Sequence, residues 1–252
     1  MPQHKTPAVV LYSMDLAEWD KLVTFFSRDF GKLKGVAKGA KRSRKRFGSG
    51  LEPLTCITLS FFEKERSSLV RLNHCEIVES YPHIHDDVLK VGYANYLSEL
   101  INEMVAEREA NKELFKLFIT FLHLLNEPYF REEFIRIFEL RLLSLSGYQP
   151  EFMKCMTCRK EVNGEKEHQF SLSRGGIICS DCFKGSRNYP ALSGGTIKIL
   201  QRAQTIELKK VTRLFFSPQA REESRKILPR FIEYHLEKPL KSLRFLEHLG
   251  VN

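Results

Sequence analysis

Two short cysteine pairs constrain this chain more than any other feature. Cys155 and Cys158 form one C-x-x-C and Cys179 and Cys182 a second, with 20 residues between the pairs. Each pair can fold into a tight knuckle that sets two thiolates about a metal diameter apart. Two knuckles brought together offer four sulfurs at tetrahedral corners. Zinc suits that donor set best, being soft enough for thiolate and free of d-electron geometric demands. One structural Zn2+ on Cys155, Cys158, Cys179 and Cys182 is therefore expected. The spacing also admits an iron–sulfur cluster or redox pair, and a metal-free module with its thiols reduced or oxidised to disulfide. Four protein thiolates close the coordination sphere, whereas a catalytic zinc keeps one position open for water. Gly175-Gly176 ahead of Ile177-Ile178 reads as a turn returning a strand to the first knuckle. His168, between the pairs, reads as a surface histidine, and Cys56 and Cys75 as small buried hydrophobes.

Residues 1–80 read as five short strands: Ala8–Met14, Leu22–Arg28, Lys32–Lys38, Thr55–Glu63 and Leu69–Ile77. They are rich in β-branched and aromatic residues and bounded by turn or polar residues. Five strands in so short a span predict a small barrel or a strongly bent sheet. An OB-fold is the option that commonly binds single strands, and an SH3-like barrel also fits. From Lys32 to Arg46 the chain holds eight basic residues and no acid: Lys32, Lys34, Lys38, Lys41, Arg42, Arg44, Lys45 and Arg46. Strand alternation puts Lys32, Lys34 and Lys38 near one side, and 41–46 reads as a mobile loop able to follow a phosphate backbone. These eight are the expected nucleic-acid contacts, with Phe26, Phe30 and Phe47 as candidates to stack bases. Nothing in the run reads base edges, so sequence-independent binding is the default and DNA is not separated from RNA.

The period becomes helical from Tyr81. Helices are predicted from Val88 to Val105, Glu113 to Leu125 and Phe130 to Leu145, the last stopping at Gly147, and these three would make a small antiparallel bundle. After the cysteine segment, Ser193 caps a helix to about Ala203, and Ser217-Pro218 starts one to Leu236 that Pro229 should kink or break. The expected class is α+β. Residues 1–80 would form an OB-fold nucleic-acid-binding domain, 81–150 and 191–252 an α-helical domain, and 151–190 a four-cysteine zinc module inserted in the helical part. The net charge of +9 divides as +5 over 1–80, −4 over 81–150 and +8 over 151–252, so the middle segment is least suited to a polyanion.

No P-loop and no G-x-S-x-G occurs, and neither cysteine pair follows the proline of the nucleic-acid deaminases. The pairs Asp86-Asp87 and Glu132-Glu133 read as solvated faces, the first near a helix start where negative charge is favoured, and His83 and His85 lack a third ligand. No signal h-region and no membrane-length apolar run is present, which points to the cytoplasm.

Taken in order, these segments resemble one family. GKLKGVAKGAKRSRKRFGSGLEP (Gly31–Pro53), YANYLSEL (Tyr93–Leu100), FELRLLSLSGYQP (Phe138–Pro150), FSLSRGGIICSDC (Phe170–Cys182) and LKSLRFLEHLG (Leu240–Gly250) are similar to stretches of the bacterial recombination mediator protein O (RecO) family, from about residue 8 to 250. The resemblance implies a non-enzymatic recombination mediator in DNA repair, cytoplasmic and nucleoid-associated. Such proteins bind single- and double-stranded DNA and anneal complementary strands. They work with RecR and help load RecA onto DNA coated by single-strand-binding protein, whose acidic C-terminal tail docks on the helical domain. Arg141, inside a matching segment, is the best candidate for that docking. The alternative is an RNA-binding or ribosome-associated zinc-module protein.

Overall fold

A computed structural model describes residues 2–63, 67–162, 166–185 and 189–250. Strands β1 (Gln3–Asp15), β2 (Lys21–Ser27), β3 (Gly31–Ala37), β4 (Cys56–Phe62) and β5 (Leu69–Glu79) close into a barrel in the order β1-β2-β3-β5-β4. Closure rests on the length of β1, which pairs with β4 through its first half and with β2 through its second, with a register shift between Val10 and Tyr12. The other seam is parallel, Lys34 to Val36 of β3 beside Leu69 to Arg71 of β5. This is the OB arrangement rather than the SH3-like one. Alternate residues such as Val23 and Phe25, Leu59 and Phe61, and Val70 and Leu72 point inward and form the barrel core.

By compactness the chain divides into Met1–Pro128 with Lys241–Asn252, and Tyr129–Leu240. That line differs from the change of sequence period, because it falls within the helical part. The first unit adds α1 (Pro82–His85), α2 (Val88–Met104), α3 (Lys112–Asn126) and α7 (Lys241–His248) to the barrel. Asp87 is the N-cap of α2, accepting from the amides of Leu89 at 2.8 Å and Lys90 at 3.3 Å, so it is more than a solvated acid. Asn111 caps α3 through the Leu114 amide at 2.9 Å. Leu114, Leu117, Phe118, Phe121, Leu122 and Leu125 form the expected buried stripe. Helix α7 lies on α2 at Gly92, where a Cβ would come within 2.8 Å of Leu246.

In the second unit α4 (Glu133–Leu145) packs with α5 (Gly194–Thr205) and α6 (Pro218–Leu236). The first three long helices are thus divided between the two units, α2 and α3 in the first and α4 in the second. Helical periodicity gives each apolar face but not the partner that covers it. Ser193 and Ser217 cap α5 and α6 as anticipated, while Pro229 is buried within an unbroken α6. Between α4 and α5 lies a small sheet, β6 (His168–Ser171), β7 (Gly176–Ile178) and β8 (Ala191–Leu192), in the order β7-β6-β8.

Candidate metal centre and nucleic-acid interface

The four paired cysteines converge at one end of the small sheet. The Glu151 amide donates to Gly175 O at 2.9 Å, and the Ile177 amide returns a bond to Glu151 O at 3.0 Å. The Met156 amide then reaches Ile177 O at 2.8 Å, so the approach to the first knuckle is laid along β7. Gly176 permits this, since a Cβ there would lie 2.7 Å from Glu151 O. Strand β7 thus returns to the first knuckle, as the glycine pair implied, and runs directly into the second. In that knuckle the amides of Cys182 and Phe183 both donate to Cys179 O at 3.0 Å.

All four Sγ atoms lie within 4.8 Å of one another, and Cys158 Sγ is 3.7 Å from Cys179 Sγ. Zn–S bonds of about 2.3 Å in a tetrahedron space the sulfurs by about 3.8 Å. The donor set fits a metal ion. Burial is the largest single influence on the Cys155 thiol and raises it, but the amides of Cys179, Cys158 and Thr157 together outweigh burial and hold it at about 6. The Cys179 and Cys158 side chains push Cys182 up to about 12. The quartet thus accepts a first negative charge readily and the later ones poorly, which is the electrostatic state a bound cation relieves. His168 is buried in β6, between β7 and β8, rather than on the surface, and lies outside the quartet.

The basic segment departs from the expected mobile loop. Residues 38–54 form successive turns whose Ala40, Phe47 and Leu51 belong to the barrel core. The Cys75 amide donates to Arg46 O at 3.0 Å, and the Lys41 amide to Trp19 O at 3.2 Å. Apolar residues dispersed through a charged run supplied the anchors that its composition concealed.

The eight cations have separate fates. Lys32 is buried, and its ammonium donates to the Asn102 carbonyl. Lys34 pairs with Glu107 at 2.6 Å, and this hydrogen bond holds the Glu107 carboxyl below its usual range. Lys41 pairs with Asp15 at 2.7 Å. Arg46 donates to Lys38 O at 2.6 Å and Ser43 Oγ at 3.0 Å. Arg42 lies over the Trp19 ring, 3.6 Å from its centroid. Lys38, Arg44 and Lys45 are exposed, with no ion pair among the described residues. Lys41 and Arg44 also line a cleft of about 460 Å³ with Lys21, Ser49 and Glu52.

The three phenylalanines offer no open platform. Phe26 and Phe47 are buried, and Phe30 meets Phe61 edge-on at 5.3 Å. Trp19 escaped sequence reasoning, although a lone tryptophan in the turn between two strands was the available signal. Arg141 donates to Gln204 O at 2.8 Å and Ile206 O at 3.4 Å, closing the C-terminal end of α5.

Among the described residues no helix is long and apolar enough to cross a membrane. The family model described as recombination protein O N terminal matches residues 1–81, and that described as recombination protein O C terminal matches residues 85–244. The chain is 37% identical over 248 residues to the DNA repair protein RecO of Syntrophus aciditrophicus, spanning 98% of this chain and 96% of that one. It is 33% identical over 250 residues to the DNA repair protein RecO of Anaeromyxobacter dehalogenans, spanning 99% and 98%. Its identity to the protein of the same name from Pelotomaculum thermopropionicum is 32% over 250 residues, spanning 99% and 96%. Barrel, helices and cysteine quartet follow one another in the order the sequence resemblance implied, and with both family models matched the chain belongs to the recombination protein O family.

Proposed function

We propose that this protein is a DNA-binding recombination mediator in DNA repair, acting by binding rather than covalent catalysis. It anneals complementary strands and helps load the RecA recombinase, with RecR, onto DNA coated by single-strand-binding protein, in the nucleoid-associated cytoplasm. The observation that carries this reading is the exposed group of Lys38, Arg42, Arg44 and Lys45 on the turns between β3 and β4, none of them in an ion pair among the described residues. Such a group neutralises phosphates, lowers repulsion between two strands and reads no sequence. Lys32 and Lys34 support the fold beneath it, Lys41 lies at its margin, and Arg46 braces the turns. In this reading 1–80 is the DNA-binding domain, 81–150 and 191–252 the helical domain, and 151–190 a module folded around one structural Zn2+.

Contact through Lys38, Arg42, Arg44 and Lys45 would give a slope of log affinity against log salt of about −2.8 on single strands. Alanine at Arg42, Arg44 and Lys45 should flatten that slope by about 2 and slow annealing of complementary oligonucleotides, with the far-ultraviolet spectrum unchanged. A wild-type affinity indifferent to salt contradicts the proposal. The RNA-binding alternative gains no support from a family of DNA repair proteins, and competition between matched DNA and RNA strands checks it. Docking of the single-strand-binding protein tail through Arg141 requires that guanidinium to exchange two carbonyls for a carboxylate. Arg141→Ala should then abolish capture of a tail peptide, and undiminished capture would place the docking elsewhere.

A further inference from the structure

The cysteine module carries a cleft of about 410 Å³ beside the quartet. Arg174, Phe183, Lys184 and Tyr189 line it, with Thr157 and Cys182 at its edge. Phe183 follows the last cysteine directly, and the hydrogen bond its amide donates to Cys179 O fixes it to the knuckle. The Phe183 and Tyr189 rings meet at 5.7 Å and 67°, so each leaves a face uncovered by the other, and both side chains are half-exposed. Arg174 is steadied by Thr157 Oγ1 at 2.7 Å. Neither Arg174 nor Lys184 has an acidic partner among the described residues. A divalent ion on four thiolates is doubly negative, and two cations nearby offset that charge. Charge compensation does not explain two half-exposed aromatic rings beside them.

Rings with open faces next to unopposed cations are the combination that holds single strands, base on ring and phosphate on cation. On the barrel Phe26 and Phe47 are buried, and the Trp19 ring is already covered by Arg42. The cleft volume lies within the range of about 300–1,000 Å³ for sites that take small ligands. We propose that this cleft is a second contact for single-stranded DNA, seating one nucleotide with its base against Phe183 or Tyr189 and its phosphate on Arg174 and Lys184. The proposal adds to the barrel reading and stands without it.

The test uses the full, metal-loaded chain and oligothymidylate carrying 5-iodouracil. Irradiation should crosslink the strand to Phe183 or Tyr189. Joint replacement Phe183→Leu and Tyr189→Leu keeps bulk but removes the π faces, and should weaken binding about fivefold or more. Native mass spectrometry should still find one metal per chain, which separates loss of stacking from loss of the knuckles. Should that pair release metal, Arg174→Gln with Lys184→Gln carries the same expected weakening. Wild-type chain that binds the strand but crosslinks only within the barrel overturns the proposal, as does unchanged affinity in a metal-replete variant. So does equal competition by an acidic peptide, which would assign the cleft to charge alone. Alanine at Arg42, Arg44 and Lys45 is the parallel arm: undiminished affinity there defeats the barrel reading and leaves the module crosslink to be judged by itself.

Discussion

Arg136 and Glu139 form an ion pair at 3.1 Å inside α4, exposed by only 5% and 0%. Two charges taken from water need each other, and the Nε and Nη1 of Arg136 have no hydrogen-bond partner among the described residues. Glu139→Ala should lower the chemical-denaturation midpoint of the second unit by an amount worth about 3–5 kcal/mol, while replacing both residues by leucine should recover most of it. A single variant as stable as wild type would show the pair to be solvated. Glu99 acts at a distance in sequence: its carboxylate accepts from the Lys241 amide at 3.0 Å and the Ser242 amide at 2.8 Å, at the start of α7. Charged acceptors there are strong because they also face the positive end of the helix. Glu99→Ala should cost about 2 kcal/mol and speed hydrogen exchange across 241–248, whereas exchange unchanged there would deny the cap its role. Neither residue announced itself in the sequence, because a buried acid is recognised only by what surrounds it.

Elements were far more legible than their neighbours. All five barrel strands, the cysteine knuckles, and the caps Ser193 and Ser217 follow from local pattern, since period, turn residues and capping chemistry act within a few positions. What escaped was association: α4 packs with α5 and α6, and the basic segment is tied down by Ala40, Phe47 and Leu51. The quartet was readable for a related reason, as four ligands in two tight pairs carry their geometry with them, whereas the fates of Lys32 and Lys41 depended on Asn102 and Asp15 far along the chain. At this scale the knuckles make a clear prediction. The small sheet has few apolar residues to bury, Phe170, Ile177, Ile178 and Leu192, so chelation of an ion held by the quartet should raise hydrogen exchange across 152–182 and leave the barrel strands protected. Protection in 152–182 that survives chelation would mean the module holds without its ion.

The whole molecule distributes its work. Positive charge concentrates in 1–80 and 151–252, which are also the two stretches carrying the proposed strand contacts, while 81–150 is net negative. The first compact unit is discontinuous, since α7 returns to α2 after the entire second unit has intervened. Removing residues 241–252 should therefore lower the thermal midpoint of the barrel-containing unit and leave metal content unchanged. A truncated chain as stable as the full one would make α7 an accessory.

That returning helix also sets a timetable. During synthesis the barrel and α2 leave the ribosome early, yet Lys241–His248 emerge only after the whole of Tyr129–Leu240 has been made. For that interval the groove at Gly92 stands open and the Glu99 carboxylate waits without its amide donors. A nascent chain stalled in the second unit would be held in this half-dressed condition, displaying to chaperones and proteases a surface that the finished protein conceals.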